Sequence, residues 1–195
     1  MWMNSKIVDL FELSFEVKDL RLVLGNKTIL EKMNTAFSGP GLVLIEGENG
    51  SGKSSFLKVL AGFTTASSGI VNIQRKEFSF LTTSSLGLLN DFTGNEHIKM
   101  ISSSLNVNEQ TLQHALEKIN SLEIFQEILE KKVCDMSQGM KQVLRLFLHL
   151  YFRPKVIFLD EPFLYLSPKI KEFFQFWIEN LANDSLVFVT DQRFS

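Results

Sequence analysis

The chain predicts an α/β fold: a mostly parallel sheet covered by helices, an N-terminal antiparallel β portion and an inserted all-helical subdomain. Three observations carry this. Leu42-Val43-Leu44-Ile45, bounded by Gly39-Pro40-Gly41, is a continuous apolar run that feeds a glycine-rich turn and then a helix. Two more such runs, Val156–Leu159 and Leu186–Val189, flank an amphipathic helix. Strands apolar on both faces that alternate with helices belong to parallel sheets. From Gly94 to about Arg153 the pattern is helical throughout. The predicted layout is one domain over residues 1–195, with the sheet core at 14–83 and 154–195 and the helical insert at about 84–153.

In order along the chain, residues 1–13 carry no assignable pattern; Met1-Trp2-Met3 and Leu10-Phe11 can pack on the domain, on a partner, or form an extension. Phe15–Leu20 alternates apolar and polar, as a half-buried strand does. Gly25-Asn26-Lys27 is a turn, and Thr28-Ile29-Leu30 resumes the strand as an antiparallel edge. The first helix buries Phe56, Leu57, Leu60 and Ala61 and stops at Gly62. After a Thr/Ser-rich loop, Ile70–Ile73 and Phe78–Leu81 are strands around a turn at Gln74-Arg75-Lys76. Thr82–Phe92 breaks into Thr, Ser, Gly and Asn and reads as a flexible connector.

In the insert, Asn108 starts a helix with Leu112, Ala115, Leu116 and Ile119 at helical spacing. Leu122, Phe125, Ile128 and Leu129 mark a second, shorter one. Ser137 is an N-cap for a helix over Gln138–Phe152, with Met140, Val143, Leu144, Phe147 and Leu148 on its apolar face. Further on, Lys169–Leu181 places Ile170, Phe173, Phe174, Trp177, Ile178 and Leu181 on one face, a stripe expected to pack on the sheet.

Two constellations carry chemistry. Gly47-Glu48-Asn49-Gly50-Ser51-Gly52-Lys53-Ser54, followed by Ser55, fits G-x-x-x-x-G-K-[ST], the Walker A loop, between a strand and a helix. This makes the fold a P-loop NTPase. Its glycines let backbone N–H groups converge on a triphosphate at the positive end of a helix. Lys53 reaches the β- and γ-phosphates and the Ser54 hydroxyl ligates Mg²⁺. The second is Asp160-Glu161-Pro162, at the end of the strand Val156–Leu159. Asp160 is placed to hold Mg²⁺ beside Ser54. Glu161 is placed to orient or deprotonate a water that attacks the γ-phosphate.

Composition narrows the classes. A formal net charge of −2 argues against a nucleic-acid partner. Cys134 is the sole cysteine, so no disulfide forms within the chain, which suits a reducing compartment. No apolar run reaches the ~18 residues of a membrane span; Leu144–Phe152 is interrupted by Arg145 and His149. Asp9 and Glu12 break any secretory pattern at the N-terminus, so a soluble chain is expected. Eighteen phenylalanines against two tyrosines imply a Phe-rich core. No second acceptor site and no long coiled-coil insertion support a soluble P-loop kinase or a DNA-repair-type ATPase.

Between the two constellations lies Met136-Ser137-Gln138-Gly139-Met140-Lys141-Gln142. With it the chain resembles the ATP-binding subunits of ABC transporters, whose signature is LSGGQ or, in one branch, SGGMKQ. Ser137, Gly139, Met140, Lys141 and Gln142 match that branch, and the resemblance runs from about Phe15 to Asp191. It implies ATP and Mg²⁺ as cofactors, a membrane-spanning transporter subunit as partner, and head-to-tail pairing with a second ATP-binding subunit, alike or different. Ser137 and Gly139 would then serve the partner's nucleotide. It implies a cytoplasmic protein held at the inner face of the membrane through the membrane subunit. The SxGMKQ form resembles the branch that exports drugs, antibiotics, peptides or haem, which implies an exporter.

Five positions depart from the family. Leu24 stands where an aromatic residue stacks on adenine, and losing that stacking costs on the order of 1–3 kcal/mol. Thr83 stands for the glutamine before the helical insert. Gln138 replaces the second signature residue, normally glycine, and Ser167 the aspartate of T-x-G-L-D-P. Asp191 replaces the histidine after the last strand, and an anion there repels a γ-phosphate. The Walker residues are complete and the accessory set is degenerate. Two readings follow: an ATPase that powers transport slowly or asymmetrically, or a regulatory subunit that binds nucleotide and barely hydrolyses it.

Overall fold

The computed structural model describes residues 14–74, 78–81 and 87–191. The positions 1–13 and Thr83 singled out above lie outside them. The chain divides into two compact units.

The first unit takes its described residues from Met1–Phe80, Lys155–Asp160 and Ala182–Ser195. Two sheets make it. One has the order β2-β1-β4, with β1 (Ser14–Leu24) antiparallel to both β2 (Lys27–Ser38) and β4 (Ser68–Gln74). The other has the order β3-β7-β6-β5, from β3 (Gly41–Ile45), β5 (Phe78–Leu81), β6 (Val156–Asp160) and β7 (Leu186–Thr190). In it β7 pairs parallel with both β3 and β6. Every residue of β6 and β7 is buried, so these centre the sheet and explain why their sequences run apolar without alternation. The edge strand β3 is only partly covered, and Leu44 is exposed.

The Phe-rich core lies here. Phe158 and Phe188, on neighbouring strands, stack with centroids 5.1 Å apart, and Phe15 of β1 meets both edge-on at 6.0 and 5.3 Å. Phe78 and Phe80 of β5 close on Phe158. Each buried phenylalanine contributes up to ~3 kcal/mol, without a polar tip to satisfy. β2 runs well past the Thr28–Leu30 segment that the sequence marks. Its register with β1 shifts between Val17 and Val23, where Asp19 takes φ +47° and breaks the alternation.

The second unit comprises Leu81–Pro154 and Glu161–Leu181. Its helices are α2 (Gly94–Ser104), α3 (Glu109–Ile119), α4 (Glu123–Glu130), α5 (Gln138–Leu150) and α6 (Pro168–Leu181), with a 3-10 turn at Val133–Asp135. Thr93 and Glu96 form a reciprocal capping box at α2 and Asn108 caps α3. Of the α6 stripe, Phe174, Trp177, Ile178 and Leu181 are buried, and the ring contacts run to the helical unit: Phe174 stacks on Trp177, and Trp177 meets Phe147 of α5 edge-on. Lys118 of α3 lies over the Trp177 ring at 5.0 Å.

Of the flexible connector expected at Thr82–Phe92, residues 82–86 lie outside the described ones, and the part next to α2 is held in place. Residues 89–92 are tied down: Leu89 N donates to His97 Nε2 (2.8 Å), and the Cys134 and Val133 amides donate to Asn90 O and Phe92 O (both 2.9 Å). Polar loop composition says nothing of such bonds, because their partners come from a helix and a turn further along. Among the described residues no helix is long and apolar enough to cross a membrane.

Candidate nucleotide site

The carboxyl ends of β3, β6 and β7 lie level, because Thr190 is in register with both Ile45 and Asp160. In open α/β sheets this rim is where ligands bind. The loop after β3 carries Gly47, Glu48, Asn49, Gly50 and Ser51, all exposed, and enters α1 (Lys53–Leu60) through Gly52. Gly52 sits at φ +97°, a left-handed conformation, and a Cβ there would come within 2.9 Å of Leu30 Cδ2. Both facts demand glycine. Ser54 and Ser55 follow in the first turn of α1, which carries no acidic residue.

The side chains of Ser54, Asp160 and Thr190 converge, and Lys53 bonds its own loop. Lys53, 8% exposed, donates from Nζ to Gly47 O at 2.7 Å and Glu48 O at 2.9 Å. Ser54 Oγ donates to Asp160 Oδ1 at 2.8 Å, a link across 106 residues. Thr190 Oγ1 donates to the same oxygen at 2.7 Å. A hydroxyl and a carboxylate oxygen in contact beside a lysine form a hard-oxygen donor set that fits Mg²⁺. The start of α1, with no side-chain cap and no acidic residue in its first turn, fits phosphate. Thr190 is the residue that sequence reasoning missed. Its only trace is its place at the end of an apolar strand, and the register that sets it opposite Asp160 is a tertiary fact.

The second unit holds the remaining predicted residues. Ser137 caps α5, its Oγ accepting from Met140 N at 3.2 Å. Gly139, in the first turn, lies against the backbone of Tyr165: a Cβ would stand 3.0 Å from Tyr165 O. Gln138 is exposed. Glu161 follows Asp160 directly and adopts φ +48°, unusual for a residue with a side chain. Burial, helped by the neighbouring Arg145 charge, pushes the His149 imidazole of α5 down to about 4.

Of the substituted positions, Leu24 ends β1 with about half its surface exposed. The Ser167 carbonyl accepts the first α6 bond from Lys171 N at 2.9 Å. Asp191 directly follows β7.

Known proteins place this arrangement. The family model described as ABC transporter matches residues 30–164. The lantibiotic transport ATP-binding protein SrtF of Streptococcus pyogenes is 28% identical over 160 residues, covering 78% of this chain and 68% of SrtF. The sulfate/thiosulfate import ATP-binding protein CysA of Vibrio vulnificus is 27% identical over 197 residues, 93% of this chain and 57% of CysA. Among solved structures, a Pyrococcus furiosus chain described as an ABC transporter ATP-binding protein superposes with a TM-score of 0.76 at 21% identity, covering 92% of each chain. That likeness shows the fold.

Proposed function

The chain belongs to the ABC transporter family as an ATP-binding subunit, and from that premise we propose that it binds and hydrolyses Mg·ATP to power an exporter. The observation that carries the nucleotide part is the Ser54–Asp160 bond, which joins the phosphate loop to the end of β6 beside the buried Lys53. In this reading Gly47–Ser55 wrap the phosphates, and Lys53 neutralises charge on the β- and γ-oxygens. Ser54 and Asp160 hold Mg²⁺, which when bound offsets the charge that builds on the transferred phosphoryl group. Thr190 fixes the Asp160 carboxylate. Glu161 takes the proton of the attacking water or aligns it.

Ser137 and Gly139 serve the nucleotide of a second ATP-binding subunit, and a separate membrane subunit receives the work. We assign that contact to the stretch near Thr83–Phe92. Such a subunit works on the cytoplasmic face of the membrane. Export rests on the Ser137–Gln142 form of the signature; the lantibiotic relative is named for transport without a direction, and the sulfate/thiosulfate relative is an importer by name.

Asp191 favours a second reading, a subunit that binds nucleotide and turns it over weakly. The deciding experiment is Mg·ATP turnover by the chain, alone and with its membrane subunit, beside Glu161→Gln and Asp191→His. The first reading expects Glu161→Gln to cut turnover by roughly 10²–10⁴-fold with ATP binding retained, and Asp191→His to raise it. Binding without turnover, unmoved by the histidine, establishes the second.

A further inference from the structure

Behind the first turn of α5, a buried amide and a buried guanidinium make a short chain to the residue after Glu161. Gln142 is 2% exposed and Arg145 5%. Arg145 Nη1 donates to Gln142 Oε1 at 3.3 Å, and Gln142 Nε2 donates to Pro162 O at 2.7 Å. Arg145 Nε has no hydrogen-bond partner among the described residues, and Nη1 is the atom that meets the Gln142 amide.

The direction of these bonds matters. An amide can sit either way round, and a buried carbonyl left facing an amide oxygen would be both unsatisfied and repelled. A cation at Oε1 permits one orientation only, the one that turns the NH₂ group to Pro162 O. That carbonyl lies inside a tight turn. Leu164 N donates to Glu161 O at 3.3 Å and Leu166 N to Phe163 O at 3.2 Å, while Glu161 and Tyr165 take φ +48° and +68°. Two non-glycine residues stay in the left-handed region only where their surroundings hold them there. The bond to Pro162 anchors the peptide next to Glu161, and the close approach of Gly139 to Tyr165 O backs the far end.

We propose that Arg145 and Gln142 are positioning residues for Glu161: the guanidinium orients the amide, and the amide fixes the turn that aims the carboxylate. This rests on the reading of Glu161 as the group that handles the attacking water.

The test uses the full chain with its membrane subunit, and three variants. Arg145→Met keeps the volume and removes the donor to Oε1. Gln142→Glu keeps a partner for Arg145 but removes the donor to Pro162. Each is expected to lower kcat on the order of 10- to 100-fold with the ATP Kd unchanged, and Arg145→Lys, which still donates, to recover most of the rate. Hydrogen exchange at the Leu164 and Leu166 amides should quicken in Arg145→Met and Gln142→Glu without nucleotide present. Wild-type kcat in Gln142→Glu, or unchanged exchange in both variants, overturns the proposal; should Arg145→Met fail to fold, Gln142→Glu decides alone. If wild type turns over no faster than Glu161→Gln, the reading of Glu161 fails instead, and the exchange arm still decides whether the relay holds the turn.

Discussion

The rim of the parallel sheet and the first turn of α5 both carry short family motifs, but different contacts hold them. At the rim, Ser54 and Thr190 share one oxygen of Asp160, side chain to side chain, while Lys53 is buried against two carbonyls of its own loop. At α5 the motif is held through backbone, by the Ser137 cap and by Gly139 pressed on the Tyr165 carbonyl. On the proposed reading, groups that meet phosphate and metal have no substitutes of equal charge and reach. A motif held as a backbone shape leaves an outward side chain free to change, and the exposed Gln138 is such a position.

The strongest way to break this contrast is Lys53→Met. Removing a charge-assisted contact of about 1.5–3 kcal/mol should weaken ATP binding by roughly 10- to 100-fold, read by calorimetry. Unaltered affinity would mean that the rim geometry does not bind nucleotide.

The next test is acid. The His149 pKa falls from 6.5 to about 4 on folding, from burial first and the Arg145 charge second. The unfolded chain therefore takes up a proton that the folded helix refuses. Stability is full above about pH 6.5 and falls as the pH drops toward 4. The loss near pH 5 should be about 2 kcal/mol, seen in urea melts. His149→Gln should lack it, and an equal loss in that variant would acquit the imidazole.

Thr190→Val should cost about 1 kcal/mol and weaken Mg²⁺-dependent ATP binding more than metal-free binding. Equal effects on both would make Thr190 a core residue only.

The smallest expected effect on stability is that of Gly139→Ala. Helix propensity gains what the Tyr165 approach costs, so stability should move by less than ~1 kcal/mol. ATP-dependent dimerisation should still suffer, as sedimentation would reveal. A variant that dimerises normally would show that the close approach carries no function.

The phosphate loop was legible because its requirement is local: strand, glycines, lysine and helix follow one another within twenty residues. The strands β6 and β7 announced themselves because burial on both faces leaves no polar positions. The length of β2 was hidden, since Lys32 takes a left-handed conformation that breaks its alternation. Thr190, Arg145 and the bonds around Asn90 were invisible for another reason. Each acts through a partner set by strand register or helix packing, and a residue's own type does not name its neighbour.

Lys53 also bears on what a nucleotide would meet in the loop. Its ammonium has two acceptors there, Gly47 O and Glu48 O. On the proposed reading, phosphate oxygens take over from these carbonyls, and binding is an exchange of acceptors. Its net gain is then the difference between anionic and neutral partners.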